Sequence, residues 1–139
     1  MNDQIRTALT TLGFAGLVCS AMLRGQDLRT EVATVPFAFH VGTAVMPAGT
    51  YSAVQSATPT VVRLQNRATG RSVLASASIP TSGKGGQSKL AFRCYDHRCF
   101  LAEIWYADEP NGHALHKSST ERELMASGPA PQLTYVAMR

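Results

Sequence analysis

The chain predicts a mainly β fold, an antiparallel sandwich or barrel of about seven short strands, and three observations carry that expectation. Apolar and polar residues alternate in short runs, as in "VPFAFHV" (35–41) and "VVRLQN" (61–66). Turn chemistry separates the runs, as in "MPAGT" (46–50) and "NRATGR" (66–71). Beyond the first segment only one stretch, about 118–127, carries the start signals of a helix. The length of 139 residues suits one domain. With 45% hydrophobic and 16% charged residues, the composition excludes a disordered tail and a strongly basic nucleic-acid binder.

The first segment reads as a signal helix. "MNDQIRTALTTLGFAGLVCSAML" has a polar head with Arg6 and an apolar stretch from Ala8 to Leu23. That stretch is short for a spanning helix of about 20 apolar residues but suits a secretory leader. Residues 1–25 are therefore assigned to a signal peptide cut near 21–25, and 26–139 to a single sandwich or barrel domain. An uncleaved anchor and lipidation at Cys19 are the other readings; Val18 stands where a lipoprotein signal places a small residue. Removing the leader takes away Arg6, Arg24 and Asp3, so the formal charge of +4 falls by one. The remaining basic residues are scattered, which fits solubility better than a single anionic partner. The predicted location is secreted or periplasmic, with no span after leader removal.

An exported chain keeps Cys94 and Cys99, an even pair in an oxidising compartment. In "KLAFRCYDHRCFLAEIWY", a two-residue turn at Asp96–His97 sets Tyr95 opposite Arg98 and Cys94 opposite Cys99. Opposed cysteines of that kind can bridge, which makes them the disulfide candidate. Metal binding by Cys94, His97 and Cys99 is the competing reading, and it lacks a fourth ligand nearby.

Element by element, Thr34–Val41 predicts a strand with Val35, Phe37, Phe39 and Val41 inward and Pro36 at its start or edge. Strands follow at about 50–54 and 60–66. Residues 72–79 send Val73, Ala75, Ala77 and Ile79 to one side. "PTSGKGGQSK" (80–89) is a loop whose glycines lack the P-loop spacing. The cysteine hairpin then places Leu90, Phe92, Leu101 and Trp105 on the cysteine face, and Phe100, Ala102, Ile104 and Tyr106 on the other. A ribbon apolar on both faces requires cover on both, from a second sheet and from a helix or another subunit. Glu103 lies at the rim or pairs with a base such as Lys89. "ADEPNGHALHK" (107–117) reads as a loop. In the helix, Ser118 caps, Glu121 reaches back, and Leu124 and Met125 supply the apolar contact. "PQLTYVAM" (131–138) closes the fold, with Leu133 and Tyr135 on one face and Thr134 and Val136 on the other.

Chemistry is sparse. His113 and His116 with Asp108 and Glu109 offer weak metal ligands, Glu103 has no acid mate for glycoside hydrolysis, and no G-x-S-x-G turn is present. No catalytic residue, metal or cofactor is predicted. The main expectation is an exported, non-enzymatic envelope or extracellular protein that acts by interaction and self-associates through strand edges. The alternative is a binder of an apolar ligand walled by Phe37, Phe39, Phe92, Phe100 and Trp105. A secreted hydrolase is third.

The ordered series "VPFAFHVG", "MPAGTY", "KLAFRCYDHRCFLAEIW" and "KSSTERELMAS" resembles a group of small exported β-rich proteins common in acidobacteria. The resemblance covers most of residues 32–127. It implies export and a compact β-rich domain, and it implies no reaction and no functional residue. Cys94 and Cys99 stand where that group has aromatic or polar residues.

Overall fold

A computed structural model of the protein describes residues 29–83 and 86–139. The signal helix assigned to 1–25 lies outside the described residues. Eleven strands and one helix occupy the rest: β1 Thr30–Val35, β2 Phe39–Val41, β3 Ala44–Met46, β4 Gly49–Gln55, β5 Val61–Asn66, β6 Ser72–Ser76, β7 Ile79–Ser82, β8 Lys89–Tyr95, β9 Arg98–Trp105, β10 Asn111–Ala114, α1 Ser119–Ser127 and β11 Gln132–Ala137. They form a β-sandwich and not a barrel. The first sheet has the antiparallel order β1-β4-β5-β6, and the second runs β11-β8-β9-β10-β7, with β2 parallel to β9 and β3 beside β2.

The expectation of about seven strands fails where one run divides between two sheets. Residues 34–41 are not one strand: β1 ends at Val35 in the first sheet and β2 begins at Phe39 in the second. Pro36, without a backbone donor, stands at the crossing. The alternation persists across the break because both sheets face one core. Val35, Phe39 and Val41 are buried, and Phe37 packs against them. The run 72–79 divides similarly. Val73, Ala75 and Ala77 point inward, while Ile79 starts β7 and is 39% exposed. β7 ends the path of the second sheet, which is where its Pro80 is tolerated. Residues 111–114, expected in a loop, form β10.

The cysteine hairpin has the expected register at its tip, with Cys94 opposite Cys99 and Tyr95 opposite Arg98. The two cysteines form a disulfide, their Cα atoms 4.0 Å apart. Asp96 takes the left-handed conformation (φ 56°) that a tight two-residue turn needs. Further along, the expected faces are wrong. The register shifts between Ala91 and Phe92, where Ala91 faces Glu103 and Phe92 faces Leu101, leaving Ala102 as an extra residue. Beyond this bulge inside and outside exchange. Ile104 and Tyr106 join Leu90, Phe92 and Leu101 in the core, and Trp105 turns to the outer face with Glu103 and Lys89.

Between the sheets, Tyr51, Phe39, Phe92, Met46, Leu64 and Leu90 are fully buried. The rings of Phe39 and Tyr51, Phe39 and Phe92, and Phe37 and Phe92 meet edge to face at 5.1–5.3 Å. Asn66, also buried, accepts from the Ala68 and Thr69 amides at 2.9 and 3.1 Å, which fixes the "NRATGR" turn.

On the outer face Trp105 is 8% exposed. Its indole nitrogen donates to Glu103 at 2.8 Å, and the Lys89 ammonium lies 5.5 Å from the ring centroid. Glu103 therefore holds the indole, not Lys89. Gly83 and Gly112 lie against the ring, and a Cβ on Gly112 would come within 2.5 Å of it. Gly112→Ala is expected to cost about 1–3 kcal/mol by overpacking. Gly86→Ala, with open space around it, should change stability by less than about 0.5 kcal/mol. Urea unfolding of both variants checks the contrast.

Candidate functional site

The five aromatic residues considered as a ligand wall do not share one surface. Phe37, Phe39 and Phe92 pack on one another between the sheets. Trp105 and Phe100 lie on the opposite face of the second sheet, and Phe100 stacks on His40 at 4.6 Å. Four surface grooves among the described residues, of about 200–440 Å³, have other residues as their walls.

The outer face near the disulfide is met by α1 through charge. Glu121 is 2% exposed and is the buried residue of the helix, whereas Met125 is 44% exposed. Ser118 accepts from the Glu121 amide at 3.2 Å, as expected of a cap. The Glu121 carboxylate does not reach back, however. It takes Arg93 Nε at 2.5 Å, Arg93 Nη2 at 3.2 Å and the Tyr95 hydroxyl at 3.2 Å. Burial lowers the Arg93 pKa, but the Glu121 hydrogen bond and charge outweigh it, and the net shift is upward. Tyr95 is also pushed up, by burial and then by Glu121. Glu121→Leu leaves a guanidinium without its partner and should cost about 3–5 kcal/mol. Adding Arg93→Met should restore most of it, as a double-mutant cycle in denaturant would measure.

A second polar group gathers at the opposite end of the hairpin, where the loop after β9 meets the start of β1. Arg29 pairs with Asp108, reaches Glu109 at 3.5 Å, and lies 5.0 Å from the Tyr106 ring centroid. His113 bonds Glu109 at 2.6 Å. The Ser88 hydroxyl donates to Glu31 Oε1 and accepts from the Ala107 amide, each at 2.9 Å. Two enclosed atoms here, Glu31 Oε2 and the Tyr106 hydroxyl, have no hydrogen-bond partner among the described residues. Each such atom costs about 1–3 kcal/mol. No sequence pattern marks this group, because its members come from residues 29–31, 88 and 106–113.

Burial pushes the Tyr106 phenol up to about 12, aided by Glu31 and Glu109 and opposed by Arg29. The folded chain therefore holds this proton after an unfolded tyrosine, near 10, has released it. The sign is a loss: stability present below pH 10 should fall by about 2–3 kcal/mol as pH rises to 12. Tyr106→Phe should flatten that slope, leaving the smaller part due to Tyr95, in unfolding curves taken across the alkaline range.

Other polar contacts are isolated. His116 meets Ser78 at 3.4 Å on the surface, apart from His113. Among the described residues no three His, Cys, Asp or Glu side chains converge as a metal site, and no helix is long and apolar enough to cross a membrane.

The last surface of note is β11. It pairs with β8 along one side, and among the described residues its other side meets β1 only at its end, through the Ala33–Met138 bridge and the reciprocal Val32–Arg139 hydrogen bonds. Leu133 and Tyr135 share one face as expected; it is the outer one, and they are 53% and 55% exposed. Compared with known proteins, the chain matches no family model, no curated protein and no solved structure.

Proposed function

We propose that the protein is an exported, non-enzymatic β-sandwich of the cell envelope or extracellular space that works by association, pairing with a second copy through the free side of β11. The carrying observation is that edge. Strand edges are ordinarily guarded by charges, prolines or bulges. From Gln132 to Met138 this one has no charge and no proline, and it displays Leu133 and Tyr135. An antiparallel edge meeting its own copy is self-complementary, so one two-fold axis extends the second sheet across both molecules. The uncharged strip lets two chains of like net charge approach without repulsion at the seam. Export is supported by the leader pattern and is in keeping with the Cys94–Cys99 disulfide.

Sedimentation equilibrium of the protein secreted by its expression host is the test. A dimer is expected, and Tyr135→Lys with Leu133→Lys should yield a monomer with unchanged circular dichroism. A wild-type chain that stays monomeric at every concentration overturns the reading.

A further inference from the structure

The first sheet ends at β6, and this margin is open. The Ala77 amide donates to the Thr60 carbonyl and the Asn66 amide to the Arg71 carbonyl, each at 2.8 Å. In the antiparallel ladder the bonded pairs alternate, so Arg71, Val73, Ala75 and Ala77 turn their backbone groups toward β5. The N–H and C=O groups of Ser72, Leu74 and Ser76 point the other way, where no strand pairs among the described residues. "SVLAS" (72–76) carries neither charge nor proline, the usual guards of an edge. Leu74 is 67% exposed. It is a wall of two grooves, one of about 200 Å³ shared with Val41, Leu115 and His116, the other of about 380 Å³ shared with Val54 and Arg63. A row of free backbone groups beside such grooves is the setting in which an extended peptide adds to a sheet.

Charge selects the peptide. No aspartate or glutamate occurs from residue 32 to residue 95. Arg63 stands directly opposite Leu74, and Arg67 and Arg71 lie in the turn between β5 and β6. All three are exposed, and none has an ion-pair partner among the described residues. The acid of this sheet, Glu31, sits on β1 at the opposite margin and bonds Ser88. A second copy pairing along β6 brings like charges together, whereas a strand bearing carboxylates meets opposite ones. Residues opposite Ser72, Leu74 and Ser76 share their outward face with Arg63, and the residues between them turn inward to the groove at Val41 and Leu115.

We infer that β6 binds an extended acidic peptide of a partner protein by strand addition. The peptide backbone pairs with Ser72, Leu74 and Ser76, its outward carboxylates face Arg63 and the turn holding Arg67 and Arg71, and its inward side chains are apolar. The inference does not depend on self-association through β11.

The probe is acetyl-Glu-Val-Glu-Val-Glu-Val-amide, titrated into the protein secreted by its expression host and followed by hydrogen exchange in NMR spectra. Exchange at the amides of Ser72, Leu74 and Ser76 should slow on binding, while that at Leu133 and Tyr135 stays as it was. The same peptide with lysine in place of glutamate should not bind. N-methylation of the three glutamates keeps the charge but removes the amide protons that face β6, and should weaken binding by about tenfold or more. Arg63→Glu should weaken the glutamate peptide by about tenfold with an unchanged unfolding temperature. Leu74→Pro removes a donor that β5 does not use, so it should fold and bind less. Leu133→Lys with Tyr135→Lys should bind as the wild type does, which separates this result from the fate of the β11 dimer. Equal binding of the plain and N-methylated peptides marks a surface for any polyanion, and a wild-type oligomer dissociated by Leu74→Pro marks a contact between copies. Either result, or exchange at Ser72, Leu74 and Ser76 that the peptide leaves unchanged, overturns the inference.

Discussion

The ribbon of β8 and β9 is greasy on both sides, and the rest of the molecule is arranged to cover it. One side presents Leu90, Phe92, Leu101 and Ile104 to the first sheet. The other presents Tyr95, Phe100, Ala91, Ala102 and Trp105, all nearly closed to solvent. Two different solutions cover that second side. Toward the tip, α1 comes down on Arg93 and Tyr95 through one carboxylate, and His40 of β2 lies flat on Phe100. Toward the base, two glycines let backbone run directly against the indole of Trp105. An apolar face roofed by an ion pair is a less forgiving design than one roofed by leucines, because removing one partner leaves the other charged and enclosed.

The inward alternation of the first strands could be read from the chain because periodicity of two survives a change of sheet. Val35, Phe39 and Val41 belong to different sheets and still face one interior. The hairpin tip was legible for a similar reason: Asp96–His97 sets the register locally, and the cysteines follow from it. The bulge was not legible. Ala102 carries no signal that distinguishes an extra residue from a paired one, and the slip exchanges Ile104 with Trp105. β10 was hidden because Asn111 and Gly112 have the chemistry of a turn, although here the glycine serves close approach to an aromatic ring. Glu121 looked like a helix-cap partner, and only the position of Arg93 across the sheet shows where its carboxylate goes. The Glu31–Tyr106 group is invisible in sequence for the same long-range reason.

The features described lie at separate places. Edge β11 carries two large exposed side chains, Leu133 and Tyr135. The Arg93–Glu121 pair secures the helix. The Glu31 end holds two buried polar atoms that are unpaired among the described residues, and such atoms lower stability.

The seam between β1 and β11 constrains the order of events in the life of the chain. Val32 and Arg139 exchange backbone hydrogen bonds, joining the first described strand to the segment after the last. β1 therefore leaves synthesis long before this neighbour exists, and this seam stays open until residues 138 and 139 have emerged. Late closure keeps the early strands loose while the chain is being made, and the lock forms only when residues 138 and 139 arrive.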